Sequence, residues 1–300
     1  MLVLQISDPH LGRTDHPTEP IAEGAEIAYD HVQSTLIEVL AGVHEPFELV
    51  ITGDLSDQAY TVPGEPEHLA EAVAVLDTLP EQVPQLWAVH RLPGNHDVGN
   101  FATADTTRPI TQQRLDAFLN VAGEDRFVRH HGTDGVRLIG CNSMLWGSGL
   151  RREQDQWLWL ASELKAAERA GDAVAFFQHA PLFLRSPNER REPREAYWCP
   201  APDARDRLLS LLARPHVKLI GSGHVHRWRS QDVALSPGAP PCRVVWCPGL
   251  AGTHTDAAYF PTDGDHDPAA HVVPTVRLTR DAAAFDHLLT PIATRHRWVA

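Results

Sequence analysis

Leu86-Trp87-Ala88-Val89-His90-Arg91-Leu92-Pro93-Gly94-Asn95-His96-Asp97 sets a short apolar run before a tight turn, and then offers three side chains able to bind metal or move protons. The run Leu86–Val89 has the length and composition of a buried strand, and Pro93-Gly94 ends it. A loop that only reverses the chain needs Gly or Asn, so Asn95-His96-Asp97 is more than a turn requires. The stretch reads as a strand that delivers a metal-binding, proton-moving loop, on which other ligands should converge.

The same arrangement recurs along the chain. Apolar runs at 2–6, 49–52, 86–89, 136–141, 173–177, 217–220, 244–247 and 275–278 read as strands. Amphipathic stretches at 22–40, 67–79, 111–119, 154–170 and 203–212 read as helices, the fourth closed by Gly171. Alternation of this kind predicts an α/β protein. Five of the strands release polar residues at their C-terminal ends: Asp8-Pro9-His10, Gly53-Asp54, Gly94-Asn95-His96-Asp97, Gln178-His179 and Gly223-His224-Val225-His226. In α/β sheets that edge is where ligands bind. Asp and His with one Asn form an oxygen–nitrogen donor set suited to Mn, Fe or Zn, and no Cys joins them. Seven ligands exceed what one such ion takes from protein, whereas two ions sharing a carboxylate would use them all.

Composition narrows the class. With 43% hydrophobic residues over 300 positions the chain can bury a large core, and one domain over 1–300 is expected, because candidate ligands lie on both sides of every Pro- and charge-rich loop. No apolar run reaches membrane-spanning length, so no membrane partner is expected. Met1–Ile6 meets Asp8 too early for a signal peptide, which makes a cytoplasmic location the expectation. Cys141, Cys199, Cys242 and Cys247 contain no Cys-x-x-Cys pair and read as reduced, buried thiols. A net charge of −13 without a Lys/Arg run argues against nucleic acid as partner and leaves a small anionic substrate.

Together, Asp8-x-His10, Gly53-Asp54, Gly94-Asn95-His96-Asp97, His179 and Gly223-His224-x-His226 resemble the five ordered motifs of the calcineurin-like metallophosphoesterase superfamily. The resemblance implies a four-layer α/β/β/α fold, two mixed β-sheets packed as a sandwich and flanked by helices. The metal motifs would span 8–226, and strands and loops of 240–300 would complete the second sheet. It implies two divalent or trivalent cations: Asp8, His10 and His226 on one, Asn95, His179 and His224 on the other, and Asp54 bridging. His96 would be the acid near the leaving group, oriented by Asp97, with Asn95 and His96 also touching substrate. Many relatives carry His-His before Pro in the fourth motif, where this chain has Gln178-His179-Ala180-Pro181. A narrower likeness covers Cys141-Asn142-Ser143, Gly147–Leu150, Gln156–Leu160 and Ala251-Gly252-Thr253, which are similar to segments of the class III cyclic-nucleotide phosphodiesterases.

The activity implied is a phosphoric-ester hydrolase, first a phosphodiesterase on small substrates such as cyclic nucleotides, through in-line attack by a water activated between the ions. A nuclease of the break-repair exonuclease type and a non-catalytic scaffold of the same fold are the alternatives. The oligomeric state is left open, a homodimer included. Arg13 and Arg227 flank ligand motifs and are candidates to touch a phosphate, as is Arg185. Asp263–Asp267 fails the spacing of a calcium-binding loop and reads as a solvated loop. His130-His131 reads as a surface turn, and Arg295–Trp298 as a docked or frayed tail.

Overall fold

A computed structural model of the chain describes residues 1–11, 29–56, 67–104, 108–250, 253–254, 272–289 and 297–298. The apolar runs become two sheets. The first holds β1 (Leu2–Ile6), β2 (Phe47–Thr52), β3 (Leu86–Leu92), β11 (Val272–Leu278) and β12 (Ala283–Leu289), in the order β12-β11-β1-β2-β3. The second holds β4 (Phe127–His131), β5 (Val136–Cys141), β6 (Ala173–Gln178), β7 (Val217–Ser222), β8 (Arg229–Ala234) and β9 (Pro241–Trp246), in the order β4-β5-β6-β7-β9-β8. Both sheets are mixed: in the first, parallel β1, β2 and β3 carry antiparallel β11 and β12 on one side, and in the second a parallel centre is flanked on both sides by antiparallel strands. A small parallel pair joins β10 (Thr253–His254) to β13 (Arg297–Trp298), which docks that part of the tail.

Period-two alternation explains the layering. On β1, Leu2, Leu4 and Ile6 point to one face with Phe47, Leu49 and Ile51 of β2, where α1 (Tyr29–Ala41), α2 (Glu67–Asp77) and α5 (Gln112–Ala122) cover them. Val3 and Val50 point the other way, onto Leu138, Ala175, Phe177, Leu219 and Val245 of the second sheet. The outer face of that sheet packs on α6 (Arg151–Ala170) and α7 (Pro202–Leu212). Strands buried on both faces need apolar side chains at every position, which is why their sequences are continuous apolar runs. The result is the helix–sheet–sheet–helix sandwich.

Among the described residues the sheet edges are β3, β4, β8 and β12. β4, β8 and β12 have no such run, and their sequences FVRHH, RSQDVA and AAFDHLL are correspondingly mixed. The buried strand expected at Leu86–Val89 is corrected to an edge strand: β3 pairs with β2 alone, and Trp87 is 65% exposed. The expected surface turn at His130-His131 is therefore corrected to an edge strand: His131 faces the buried Glu48 of β2 at 3.2 Å, and His130 faces Asp172 at 3.1 Å. Glu48 also accepts from His90 of β3, in its own sheet, at 2.7 Å. The C-terminal strands divide, correcting the expectation that 240–300 complete the second sheet. Only β9 joins that sheet, while β11 pairs antiparallel with β1 and extends the first. The expected helix at 67–79 stops at Asp77 and restarts as α3 (Leu79–Gln82), where Pro80 suits a first turn.

α6 behaves as its sequence predicts. Trp157, Leu160, Leu164 and Ala167 form its buried stripe, and Gly171 closes it in the left-handed conformation at φ 69°. Leu158, on the opposite face, is 67% exposed. Leu160→Ala should therefore lower unfolding stability by about 2–5 kcal/mol, while Leu158→Ala should stay within about 0.5 kcal/mol of wild type. Chemical denaturation of the two variants checks this, and equal costs would place the helix in the wrong rotation.

Candidate metal centre

β1, β2 and β3 run parallel, as do β6 and β7, so all five motif loops emerge at C-terminal strand ends that meet across the sandwich. The loops are tied to one another through backbone. Asp8 N–H donates to the Gly53 carbonyl and His10 N–H to the Asp54 carbonyl, each at 3.0 Å, while Gly223 N–H donates to the His179 carbonyl at 2.7 Å. Beneath them Gln5 bridges the sheets, its Nε2 donating to Thr52 Oγ1 and to the Ser222 carbonyl.

This interlocking leaves no room for side chains at the motif glycines. A Cβ on Gly223 would lie 1.6 Å from Ser7 Oγ, and one on Gly94 would lie 2.1 Å from Asp54 Oδ1. Among the described residues the non-glycine positions with positive φ are Asp8, His10, Asp54, His224 and His226, at 42–70°. All five are sequence-predicted ligands. Asp and His tolerate this region better than most residues, yet it is strained backbone, of the kind that collects at functional sites.

The side chains converge into two groups. Asp8, His10, Asp54 and His226 each offer one donor atom, all within 4.8 Å of one another, and Asp54, His179 and His224 form a second such group. In the first, His10 Nε2 lies 3.2 Å from His226 Nε2 and 3.7 Å from Asp54 Oδ2, and His226 Nε2 lies 3.1 Å from Asp8 Oδ1. Asp8 Oδ1 is buried and makes no hydrogen bond. Ligands about 2.1 Å from an ion at right angles would be about 3 Å apart, so these spacings fit a shared cation. In the second, His179 Nε2 lies 3.4 Å from Asp54 Oδ2 and 3.0 Å from Asn95 Oδ1. Asn95 thus completes that group, and all seven predicted ligands are buried.

Neighbours fix which atoms face inward. His179 Nδ1 sits 2.6 Å from the Thr52 carbonyl and His224 Nε2 sits 3.0 Å from the Tyr197 carbonyl. A carbonyl only accepts, so these nitrogens donate, which leaves the opposite ring nitrogens to face the candidate cation sites. Gln178 points away: its Oε1 accepts from Trp146 Nε1 at 3.1 Å and its Nε2 donates to the Ala180 carbonyl. The departure in the fourth motif is thus a packing change behind the site.

The electrostatics are those of a pit built for cations. Burial raises the Asp8 carboxyl, but His226 and His179 pull it far below the usual range. Burial likewise raises Asp54, against a larger downward pull from His179, His96 and His10. His179 is lowered by burial yet lifted by Asp54 and Asp8 to about 9. Burial and the neighbouring His179 push His224 down to about 3. Burial and Asp54 push the Asp97 carboxyl up to about 7, although three backbone amides stabilise its anion.

Those amides define what Asp97 does. It accepts from Gly94 and Leu55 on Oδ2 and from Ser56 on Oδ1, at 2.8–3.1 Å, clamping the second and third motif loops together. Any orientation it gives His96 passes through this backbone. His96 is half-buried, unlike the ligands; its amide donates to Asp54 Oδ1 at 2.8 Å and its ring stands edge-on to His10 at 4.6 Å. Arg227 is half-buried beside His226. Arg185 is paired with Glu189 and Glu195 within its own loop. Arg13 and Asp263–Asp267 lie outside the described residues. Sequence reasoning missed Tyr197, which accepts from Asn95 Nδ2 at 3.1 Å. The signal available was an aromatic pair, Tyr197-Trp198, inside an otherwise Pro- and charge-rich loop.

The family model for calcineurin-like phosphoesterase matches residues 1–228, and the chain belongs to that family. It is 31% identical over 191 residues to a protein named serine/threonine-protein phosphatase CPPED1 from Pongo abelii, a match covering 61% of this chain and 54% of that one. It is 28% identical over 236 residues to a probable cyclic nucleotide phosphodiesterase of Rhodococcus erythropolis, covering 75% of this chain and 64% of that one. The chain thus spans about half the length of the CPPED1 relatives it matches. Of solved structures, a dimetal phosphatase from Danio rerio aligns over 96% of both chains with a TM-score of 0.57 at 15% identity. Purple acid phosphatase PPD1 from yellow lupin aligns over 98% of this chain and 52% of that one, with a TM-score of 0.59 at 12% identity. At such identities the likeness shows the shared fold. No helix among the described residues is long and apolar enough to cross a membrane.

Because a cation must displace the His179 proton, metal uptake near neutral pH should release protons, and affinity should rise about tenfold per pH unit until about 9. Calorimetric Mn²⁺ titrations in buffers of different ionisation enthalpy count those protons. No release at pH 7 would show that His179 is already neutral.

Proposed function

We propose that the chain is a phosphoric-ester hydrolase with a dinuclear metal centre, acting on small phosphodiesters such as cyclic nucleotides. One observation carries this reading: the buried Asp54 carboxylate belongs to both donor groups, so two cations would share it. Asp8, His10 and His226 would complete the first half-site, and Asn95, His179 and His224 the second. Oxygen and imidazole donors without a thiolate suit Mn, Fe or Zn. When bound, such a pair supplies Lewis acidity, charge neutralisation and water activation at neutral pH.

The chain's own residues do the remaining work. The seven ligands hold their donor atoms in a buried pit, while His96 alone among the motif histidines keeps partial access to solvent. Its backbone amide is anchored on Asp54, so its ring stands beside the first half-site at a fixed place. From there it can give a proton to a departing alkoxide or hydrogen-bond its charge. Asp97 holds the loop that carries it. On this reading Arg227, next in sequence to His226, would meet a phosphoryl oxygen, and a net charge of −13 favours a small substrate over a long polyanion. The four cysteines are buried and unbridged, which agrees with a cytoplasmic setting.

The Rhodococcus relative's name supports the diester reading. The CPPED1 names favour a second one, hydrolysis of phosphomonoesters, including phosphorylated side chains. Turnover of a bis-aryl phosphate, an aryl monophosphate and cyclic nucleotides by Mn²⁺-loaded protein, with and without chelator, separates the two. Diester cleavage above monoester cleavage is expected, and no turnover with Mn²⁺, Fe²⁺ or Zn²⁺ would end both readings. His96→Ala should retain both metals and slow turnover by about 10²–10⁴. Asp54→Asn should lose both ions as read by elemental analysis; loss of metal from His96→Ala instead would mean that His96 is a ligand.

A further inference from the structure

The segment 184–200 lies between the fourth and fifth ligand motifs and contributes no strand to either sheet. Two carboxylates give it a fixed shape. Glu189 accepts the backbone N–H groups of Leu184, Arg185 and Ser186 at 2.7–3.1 Å. Glu195, buried, accepts from the Glu192 amide at 2.7 Å and pairs with Arg185. Arg205 of α7 donates to the Glu189 carbonyl at 2.8 Å, and Arg191 to the Cys199 carbonyl at 3.0 Å. These bonds hold the short turn Pro193–Tyr197 against the metal pit.

Tyr197 then meets the ligand set three times. Its hydroxyl accepts from Asn95 Nδ2 at 3.1 Å, its carbonyl accepts from His224 Nε2 at 3.0 Å, and its ring stacks on that of His224 with centroids 5.4 Å apart and planes 23° apart. Each contact settles an ambiguity. An Asn amide can present oxygen or nitrogen, and only the oxygen can bind a cation. With its NH₂ held by Tyr197, Asn95 turns Oδ1 toward His179 Nε2, 3.0 Å away. An imidazole likewise exposes one lone pair or the other, and the Tyr197 carbonyl fixes which. Burial and the Asp54 charge push the phenol up to about 12, so it stays a neutral hydroxyl. Among the described residues, the hydrogen bonds from Tyr197 to ligands fall on the second half-site.

We propose that Tyr197 is a positioning residue for the second cation, setting the donor atoms of Asn95 and His224. Occupancy of that half-site then depends on segment 184–200 as well as on the sheet-end loops. The proposal rests on the dinuclear reading above.

The test uses Tyr197→Phe, which deletes the hydroxyl but keeps ring and carbonyl. Mn²⁺ is titrated into the metal-free full chain by calorimetry, with electron paramagnetic resonance distinguishing coupled pairs from isolated ions. Wild type should bind two ions and end in a coupled spectrum. Tyr197→Phe should bind its first ion as wild type does and its second about tenfold more weakly, with isolated-ion signal at intermediate Mn²⁺. Its metal-free melting temperature should match wild type. Asn95→Asp supplies a second arm: both carboxylate oxygens can ligate, so adding Tyr197→Phe to Asn95→Asp should cost little further second-site affinity. An unchanged second affinity in Tyr197→Phe, equal weakening of both sites, or a full additional loss in the double variant would overturn the proposal. Wild-type protein that binds fewer than two ions would instead overturn the dinuclear reading.

Discussion

Everything in this molecule bends around the Asp54 carboxylate, an anion taken almost completely out of water. Burying a lone carboxylate costs several kcal/mol unless its charge is matched. Here Oδ1 receives the His96 amide, and Oδ2 faces imidazole nitrogens of His10 and His179. Asp8 and Asp97 lie buried in the same region, the first receiving the His224 amide and the second three amides. The Asp97 carboxyl is lifted first by its burial and then by the Asp54 charge. Two shared cations would complete the balance, so metal binding and folding stability should be linked through this one group.

The surrounding backbone is shaped to make that convergence possible. Five ligands sit in the left-handed region, at a cost of about 1–3 kcal/mol each. Each turns a side chain sideways just after its strand ends, toward the facing sheet. The sandwich absorbs the cost because the strands behind the loops are buried on both faces, and Gln5 and the His224–Asp8 bond stitch the sheets together at the rim. Motif glycines are there for space: the Gly94 backbone packs directly against the Asp54 carboxylate, where any Cβ would intrude.

The second half-site draws on a loop beyond the strand ends. Asp8, His10, Asp54 and His226 come from strand ends that hydrogen-bond one another. Asn95 and His224 lean on Tyr197, which belongs to a loop shaped by Glu189 and Glu195. His96 stands at the first half-site, with Tyr197 and Trp198 at the second, both half-buried. On the dinuclear reading, His96 would stand beside one cation and the Tyr197 and Trp198 rings beside the other.

The sequence by itself determined the α/β alternation and marked seven candidate ligands at strand ends, while the layered sandwich came with the family resemblance. Central strands buried on both faces must be apolar throughout, and strand-end Asp, Asn and His have few structural reasons to recur five times. Edge strands such as Phe127–His131 escaped because half their surface meets water and their composition follows it. Tyr197 escaped because an aromatic pair in a charged loop does not say what it will meet; its role exists only where its hydroxyl and carbonyl reach residues 102 and 27 positions away. The orientation of Gln178 behind the site and the clamp formed by Asp97 were decided the same way. Local pattern records which residues are buried or able to ligate. The partner each one meets is a property of the folded chain, since contacts between distant loops depend on how two sheets pack rather than on any spacing along the sequence.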